Sequence, residues 1–436
     1  MRTTTRYLVN GVSDPRRATT LWNAIPVERF ERNPGDMAYC FAVMNTVATD
    51  SRVDFRMTGY YWRKEGFSNP EIAEINETCK AFICPLADMF SDNWAWYVRV
   101  LSDLVERLRI PCIVPCVGAR SIPDGVRPTE VPWADDVRRF VGAVLDKSAL
   151  LGVRGETTAR FLEGLGFVRD RHFEVLGCPT LYTFGESLSE PALRGCNGTF
   201  DSCAFTMNLR GSAEEWRFID DCARLFRSAT FVSQDFRELF HFMLTHGKSW
   251  PEPFLQNPGY RDYLTGYARE NRMRFFLNYR PWTAFLSSVD FCVGHRIHGA
   301  LLALLSGTPA AVVPFESRTR ELAEFHGVPM LEPVSGESET ALRERIASLD
   351  FSGIERRQKE NFPRYVAFFR KNGIPTVFDG ETPEKGRFPL ETVLPRRYPD
   401  DALPAYANHG VLTRLKVKAV LRAKRFRTKG GRPTGK

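Results

Sequence analysis

Two histidines and an arginine stand together in the stretch VDFCVGHRIHGALLALLSGTPAAVVPFE, which runs from Val289 to Glu316. The chain has only seven histidines, and two of them, His295 and His298, flank Arg296. An arginine offers a two-pronged donor to a carboxylate or phosphate. A histidine can give or take a proton near neutral pH. The group therefore predicts a site that binds an anion and moves a proton.

The surrounding residues predict a strand and a helix that would position this group. DFCVG is a short apolar strand, TPAAVVP is a second one, and HGALLALLSG between them is apolar on nearly every side, as a buried helix is. Arg296 and His298 would lie at the amino end of that helix, where unpaired N–H groups and the helix dipole favour an anion. The alternative is that Arg296 pairs with an acid and His298 caps the helix.

A second strand-to-helix junction lies in LLGVRGETTARFLEGLG. Leu150 to Val153 predict a strand, and Arg154 follows it directly. ETTARFLEGLG then predicts an amphipathic helix that ends at a glycine. Arg154 alone fits a structural role as well as a functional one.

The stretch ERNPGDMAYCFAVMNTV places Asn33, Gly35 and Asp36 before a helix that is predicted to begin near Met37. Asn33 or Asp36 could simply cap that helix. The functional alternative is a glycine turn that lets a substrate approach the backbone, with Asp36 accepting hydrogen bonds from sugar hydroxyls.

Short apolar runs alternate with helical patterns along the chain, which predicts βαβ units and parallel sheets. CPTLYTFGESLSEPALRGCNGT, rich in Gly, Pro, Ser and Thr, interrupts this alternation and predicts a linker. Two α/β domains facing across a cleft follow from this pattern, with residues 1–185 in the first and 200–372 in the second. SGIERRQKENFPRYVAFFRKNG predicts one long helix, and residues 373–436 form a C-terminal extension.

Composition predicts a cytoplasmic protein. The chain is 43% hydrophobic and 26% charged, no apolar run reaches the roughly 18 residues of a membrane span, and the start lacks the apolar core of a signal peptide. The ten cysteines are scattered through apolar stretches, which indicates a reducing compartment. Cys112 and Cys116 are interpreted as core residues, and no His/Asp/Cys cluster proposes a metal site.

The positive charge is concentrated in a tail. Residues 411–436 hold five Arg, five Lys and no acid, so this segment carries +10 while the whole chain carries +8 and the residues before it carry −2. Sparse apolar positions in the tail favour peripheral contact with an anionic membrane over specific nucleic-acid binding. The alternative is a disordered, solvated tail.

These stretches together resemble the polysaccharide pyruvyl transferase family over about residues 30–330. Members carry an Asn-x-Gly-Asp element near the start, matched by Asn33, Gly35 and Asp36, and a strand-end arginine before a helix, matched by Arg154. The most diagnostic element, Arg-Leu-His-Ala before a buried helix, stands here as RIHG.

Five positions depart from the family pattern. Cys178 replaces the aspartate of a Gly-Asp-Pro turn, and Ile297 and Gly299 replace the Leu and Ala of the Arg-Leu-His-Ala element. Where members often have Tyr-x-x-Lys, this chain has Phe315 to Arg318.

The resemblance implies two Rossmann-like domains facing across a cleft, as in GT-B glycosyltransferases. It implies phosphoenolpyruvate as a co-substrate, with no resident cofactor, and a sugar diol as acceptor. The product would be a cyclic pyruvate ketal on a glycan of exopolysaccharide biosynthesis or on its lipid-linked precursor. A lipid-linked acceptor would place the protein at the inner membrane surface.

Phosphoenolpyruvate carries a carboxylate and a phosphate, so its site needs several fixed cations. The residues assigned to donor binding are Arg296, Arg210 (at the strand end FTMNLR), Arg154, His295 and Arg318.

The catalytic residues assigned with this resemblance are His298, for proton transfer, and Asp36, for orienting or deprotonating the attacking hydroxyl. Asn33 and Gly35 complete the acceptor side with Asp36.

Two other functions remain open from the sequence. A nucleotide-sugar glycosyltransferase of GT-B architecture is suggested by Glu316 and Glu324, which have seven residues between them. That spacing also arises on any charged helix face, and Glu321 between them fits a solvated face. A non-catalytic protein that binds membranes or anions through its tail is the second alternative, although it leaves Arg296 and His298 unexplained.

Overall fold

A computed structural model of the chain describes residues 4–20, 33–59, 63–120, 126–196, 198, 200–235, 238, 257–398, 403–404 and 419. The stretch DFRELFHFMLTH, where the alternation along the chain predicts a helix, and the basic tail lie outside the described residues, apart from single positions. We call the described residues up to 196 the first half of the chain and the later ones the second half.

The first half builds a parallel sheet. Its strands are β1 (Arg6–Val9), β2 (Asp54–Met57), β3 (Ala81–Ile83), β4 (Cys112–Ile113), β5 (Leu151–Val153) and β6 (Phe173–Val175). Strands β2, β1, β3 and β4 pair in that order, and β5 pairs with β6. The backbone N–H of Gly152 donates to Val114 O (2.7 Å), so β5 follows the segment after β4.

The second half builds another sheet of six described strands. These are β7 (Ser202–Thr206), β8 (Ser228–Val232), β9 (Met273–Phe275), β10 (Phe291–Gly294), β11 (Ala310–Val312) and β12 (Leu403–Pro404). Their order is β11-β10-β7-β8-β9-β12, and every pairing is parallel except that of β12 with β9. The predicted α/β fold class, with parallel strands and connecting helices in each half, is confirmed.

Helices connect the strands, as the alternation in the sequence predicts. The described α-helices are α1 (Gly35–Val47), α2 (Asn69–Thr78), α3 (Ala95–Arg107), α4 (Ala134–Leu145), α5 (Glu156–Gly164), α6 (Glu190–Leu193), α7 (Ala213–Arg224), α8 (Pro258–Arg269), α9 (Tyr279–Leu286), α10 (Ile297–Ser306), α11 (Ser317–His326), α12 (Glu339–Ala347), α13 (Ser352–Lys371) and α14 (Pro389–Thr392). The long helix predicted near residue 360 is confirmed as α13.

Helix α1 lies at the junction of the two halves. All thirteen of its residues are buried. It packs against α10 of the second half and against the 3-10 turn Pro179–Tyr182. A helix that is buried on every side belongs to the interior of a large core, and a single apolar cluster runs from β1 through α1 to the second sheet.

The predicted linker is wrong in its first part. Cys178, Leu181 and Tyr182 are fully buried and belong to that shared core. The composition of this stretch is typical of a loop, but its apolar side chains pack between α1 and α13. Tyr182 lies 4.7 Å from Tyr365 of α13, measured between ring centroids.

Helix α13 returns the chain to the first half. Gln358 donates from Nε2 to Leu181 O (2.8 Å), and Asn372, just after the helix, accepts from Ala149 N (2.8 Å). The two halves therefore share contacts on several elements, and the division at 1–185, 200–372 and 373–436 stays a prediction.

Candidate functional site

The amino end of α1 meets the amino end of α10 at His298. A Cβ built on Gly35 would lie 2.6 Å from His298 Nδ1, closer than side chains approach each other, so only a glycine leaves room for this imidazole. The Asn-x-Gly-Asp and RIHG stretches, far apart in the sequence, are thus brought into direct contact. This contact places His298 between the two halves of the molecule.

His298 is a buried and neutral imidazole. Its side chain is 7% exposed, and its ring centroid lies 5.6 Å from that of Tyr39 on α1. Burial, together with Arg154 and Arg318, lowers the pKa of His298 well below its usual range. Its Nε2 has no hydrogen-bond partner among the described residues. The ring is therefore available to accept a proton or to bind a ligand.

Arg154 is a buried cation beside this histidine. It follows β5 as predicted, is 2% exposed, and its Cζ lies 4.8 Å above the ring of Tyr39. Its Nε and Nη2 have no partner within the described part of the chain. A buried guanidinium with open donors is costly unless an anion reaches it, so this arrangement favours anion binding over a purely structural role.

Arg296 and His295 also present unpaired donors. Arg296 is the N-cap of α10, and its backbone N–H donates a hydrogen bond to Thr206 Oγ1 (3.1 Å). Its side-chain Nε has no hydrogen-bond partner among the described residues. His295 accepts from Asn208 N at Nδ1 (3.0 Å), which leaves the proton of the neutral ring on Nε2. Burial and Arg296 lower the pKa of His295 to about 3, so its Nε2–H is a fixed neutral donor.

Arg318 lies at the seam but is already paired. Its guanidinium contacts Asp88 of the first half and Glu316 of its own half. These two acids make Arg318 a bridge between the halves, and any donor-binding role for it would require exchange of a partner. Asp88 was not singled out from the sequence, because it follows β3 in a loop without a recognisable motif.

Arg210, which the sequence places at a strand end, lies in the turn after β7, four residues beyond Thr206. It is exposed, and desolvation and the nearby Arg120 lower its pKa. Arg120 belongs to the first half and follows an isolated bridge between Phe90 and Ala119. The signal for Arg120 was its position after the apolar run CIVPCVGA, as with the other strand-end arginines.

Asn33 and Asp36 differ in what they do at α1. Asn33 Oδ1 accepts from the backbone N–H of Gly35 (3.0 Å), so it shapes the turn that precedes the helix. Asp36 is 7% exposed in the first turn of α1. The N-cap position is held by Pro34, without a side-chain hydrogen bond to the helix.

The end of β8 adds polar groups that the sequence did not reveal. Glu238 is 1% exposed and accepts from Ser233 Oγ (2.5 Å) and Tyr260 OH (2.5 Å). Burial and Asp235 raise its pKa to about 7, against the opposing effect of Arg296. Gln234, two residues after β8, is 2% exposed. No motif marks this stretch, and Glu238 lies within a segment whose pattern predicts only an amphipathic helix.

Cys178, which stands in place of the family's aspartate, is tied to the second half. Its backbone N–H donates to Nε2 of His326 (2.8 Å), and its Sγ lies 3.3 Å from Thr180 Oγ1. Burial and Arg154 lower the pKa of His326 to about 3. All ten cysteines are buried free thiols, including Cys112, and the prediction that Cys112 and Cys116 are core residues is confirmed.

The solvated position predicted for Glu321 is wrong. Its carboxylate accepts from Thr157 N (2.6 Å) at the amino end of α5, in the other half of the molecule. A Cβ on Gly155 would lie 2.2 Å from Glu321 Oε1, so the glycine after Arg154 makes room for this carboxylate. Glu321 therefore caps α5 and occupies the place that an anion would otherwise take there.

A cavity of about 790 Å3 lies between α9 and α14 and is lined by residues such as Arg280 and Lys385. None of its lining residues belongs to the cluster around His298.

Within the ranges that the structure describes, no three acidic, histidine or cysteine side chains are grouped as a metal site would require. No described helix is long and apolar enough to cross a bilayer.

A family model for polysaccharide pyruvyl transferases matches residues 88–317, more than half of the 436-residue chain. The matched range contains Arg154, Arg210, Arg296 and His298. A search among curated proteins finds no match.

Several solved structures are similar to the chain at low identity. The UDP-GlcNAc 2-epimerase of Methanocaldococcus jannaschii, in complex with UDP-GlcNAc and UDP, is 8% identical, with a TM-score of 0.40 over 84% of this chain and 99% of that one. For the UDP-N-acetylglucosamine 2-epimerase of Rickettsia bellii the identity is 9% and the TM-score 0.40, over 85% and 96%. For the glycosyltransferase SnogD of Streptomyces nogalater the identity is 14% and the TM-score 0.28, over 90% and 98%.

Proposed function

This chain belongs to the polysaccharide pyruvyl transferase family, and from that premise we propose that it transfers a pyruvyl group from phosphoenolpyruvate onto a sugar diol. The product is a cyclic ketal on a polysaccharide or its precursor. Phosphoenolpyruvate is a co-substrate in this proposal, and no resident cofactor takes part.

The observation that supports this proposal best is the set of unpaired donors around His298. Arg154 Nε and Nη2, Arg296 Nε and His295 Nε2 are all buried without partners among the described residues. Three cationic or donor groups near one seam match a small ligand with two anionic ends, because a carboxylate and a phosphate together need several fixed donors.

The chemistry requires one proton on carbon and two C–O bonds. The terminal carbon of the enol gains a proton, which leaves a cation-like centre at the carbon that bears the phosphate. One sugar hydroxyl attacks that centre, the C–O bond to phosphate breaks, and the second hydroxyl closes the ring. The two hydroxyls lose two protons in total, of which one balances the proton gained by carbon and one leaves with phosphate.

His298 is the residue proposed for these proton transfers. In the free protein its lowered pKa keeps it neutral and makes it a weak base. A bound trianionic donor would offset the field of Arg154 and Arg318 and raise the pKa of His298. The imidazole could then carry a proton to the enol. Asp36, in the adjacent first turn of α1, is proposed to orient the attacking hydroxyl.

A direct assay tests the proposal. Full-length protein is incubated with phosphoenolpyruvate and a panel of glycans and hexosides, and phosphate release is followed together with the acetal-carbon signal of a pyruvate ketal in NMR spectra. The proposal expects release of one phosphate per ketal formed. Phosphate release without a ketal, or neither with every acceptor tried, would contradict it.

The nucleotide-sugar alternative is tested by the same protein with UDP- and GDP-sugars. That alternative relies on Glu316 and Glu324. Glu316 is paired with Arg318, and Glu324 is exposed on α11. Thermal stabilisation by phosphoenolpyruvate but not by nucleotide sugars is the result expected here.

A further inference from the structure

The side chain of Gln234 is a buried amide that makes no hydrogen bond to the described residues. It is 2% exposed, and neither Oε1 nor Nε2 has a hydrogen-bond partner in the described part of the chain. An amide buried in this state destabilises the protein relative to a paired one. Buried polar groups are paired in nearly all native structures, so an exception of this kind requires a reason.

The amide of Gln234 lies against the first turn of α10, which also contains His298 of the proposed site. A Cβ built on Gly299 would lie 2.8 Å from Gln234 Nε2 and 3.1 Å from Thr206 Cγ2. Gly299 is the neighbour of His298 and lies three residues after Arg296. The missing side chain at Gly299 is therefore what allows the amide of Gln234 to lie against the first turn of α10, the turn that follows Arg296 and includes His298.

The chemistry of the amide restricts its ligand. A carboxamide offers N–H donors on one atom and an acceptor on the other. A carboxylate or a fully ionised phosphate only accepts, so it would pair Nε2 and leave Oε1 buried and unpaired. A sugar hydroxyl both donates and accepts, and a pair of hydroxyls can satisfy both atoms of the amide, whichever way it is turned.

We propose that Gln234 is a specificity-determining residue that binds hydroxyls of the acceptor sugar, and that Gly299 is required to admit its amide. The inference rests on the proposed function, since it names the residue of the second half that binds the acceptor sugar and selects it by its hydroxyls. The acceptor would thus be held from both sides of the seam, by Gln234, which follows β8 and lies against α10, and by the first turn of α1 around Asp36.

Two variants test this by different routes. Gln234→Leu removes both polar atoms at similar volume, and Gly299→Ala keeps the amide but fills the space it occupies. Kinetics are measured with phosphoenolpyruvate and with methyl glycosides of glucose, galactose and mannose as acceptors. Both variants should raise the KM for the hexoside by roughly 5–150-fold, as expected for unpaired buried hydroxyls. The KM for phosphoenolpyruvate should change by less than about twofold.

Stability separates this role from a structural one. Gln234→Leu removes two unpaired atoms and should leave the midpoint of thermal unfolding unchanged or raise it. Gln358→Leu is the matched control, because Gln358 is equally buried but donates to Leu181 O and Gly185 O. That variant should lower the unfolding midpoint while leaving the KM for the hexoside as it is.

Binding is measured as well, so that the outcome does not depend on turnover. Thermal shifts are recorded for wild type and both variants with each hexoside, alone and with phosphoenolpyruvate present. The inference expects hexoside stabilisation in wild type that is lost in both variants. Equal stabilisation in wild type and Gln234→Leu, or no hexoside effect in wild type, overturns it. Failure of the proposed function shows instead as the absence of any shift with phosphoenolpyruvate alone.

Discussion

Arg296 and His298 lie two residues apart at the start of α10, yet their removal should have different effects. Arg296→Ala takes away a charge-assisted donor and should weaken donor binding by about 1.5–3 kcal/mol. His298→Ala should lower kcat by about 10²–10⁴-fold if the imidazole transfers the proton. Separate measurement of the KM for phosphoenolpyruvate and of kcat checks both expectations. Equal loss of kcat in the two variants would contradict the division of roles.

Gly35 provides a second test at single-residue resolution. In Gly35→Ala the new methyl carbon would lie 2.6 Å from His298 Nδ1, so the imidazole must move. Overpacking of this kind costs roughly 1–3 kcal/mol, and activity should fall with stability. Urea unfolding and phosphate release measure the two effects.

Gly142→Ala is the control for this substitution. Gly142 lies inside α4, and a Cβ there would meet no atom within 4 Å. An alanine at that position should leave activity unchanged and stabilise the helix by roughly 0.5–1 kcal/mol. Comparable losses in both variants would argue against the Gly35–His298 contact.

At the scale of elements, α5 is capped by a carboxylate from α11 of the other half. Glu321→Ala removes that cap and should destabilise the protein by about 0.5–2 kcal/mol. Glu324→Ala, on the same helix but exposed, should stay within about 0.5 kcal/mol of wild type. Urea denaturation of both variants makes the comparison. A larger effect of Glu324→Ala on activity than of Glu321→Ala would instead favour the nucleotide-sugar alternative.

The strands and helices of this chain were predictable from periodicity because each carries a clear local pattern. HGALLALLSG is apolar throughout and forms the buried helix α10, and ETTARFLEGLG is amphipathic and forms α5. Arg154, Arg296 and Arg210 were found because polar residues at strand ends meet at the same edge of a parallel sheet.

Contacts between distant segments were not predictable in this way. Glu321 has the local pattern of a solvated face, yet it caps a helix 164 residues earlier in the chain. Gln234 and Asp88 stand in loops without a pattern, and only tertiary packing brings them to Gly299 and Arg318. The burial of Leu181 within a loop-like composition has the same cause, since tertiary packing overrides local propensity.

At the scale of the whole molecule, buried titratable groups should set the acid stability. His295 and His326 have pKa values lowered to about 3 in the native protein. As pH falls below about 6.5, these two histidines are therefore protonated in the unfolded chain but stay neutral in the native protein. Stability is therefore lost as pH falls from about 6.5 towards 3. At pH 5 each of the two histidines lowers the free energy of unfolding by about 2 kcal/mol. His298, whose pKa is also lowered, changes it in the same direction.

Glu238 opposes this trend. The pKa of Glu238 is raised to about 7. Its contribution to stability is therefore fully present below about pH 4.5 and is lost as pH rises through 7. As pH falls from 7 to 5, Glu238 raises the free energy of unfolding by about 2 kcal/mol. The two histidines together outweigh this increase, so the free energy of unfolding should still fall over that interval.

Urea denaturation at pH 7 and pH 5 checks this balance. His326→Gln keeps an acceptor for Cys178 N and should reduce the loss by about 2 kcal/mol. His172→Gln, at a half-buried position on the first half, is the control. A loss that is the same in wild type and His326→Gln would contradict the assignment to this histidine.

The basic segment 411–436 yields the remaining prediction, which comes from charge alone. If the acceptor is lipid-linked, each basic residue near an anionic membrane contributes about 1 kcal/mol, and salt screens the effect. A chain that ends at His409 should keep activity on soluble acceptors and lose binding to anionic vesicles. Equal vesicle binding by both chains would show that another surface is responsible.

Helix α1 also has a consequence for biosynthesis. Its thirteen buried residues leave the ribosome early, but its partner α10 begins at Ile297, roughly 260 residues later. At about 5–20 residues per second, the helix waits on the order of 13–50 s before that partner is made. During this interval an apolar segment is exposed on the nascent chain, where chaperones can bind it or other chains can associate with it.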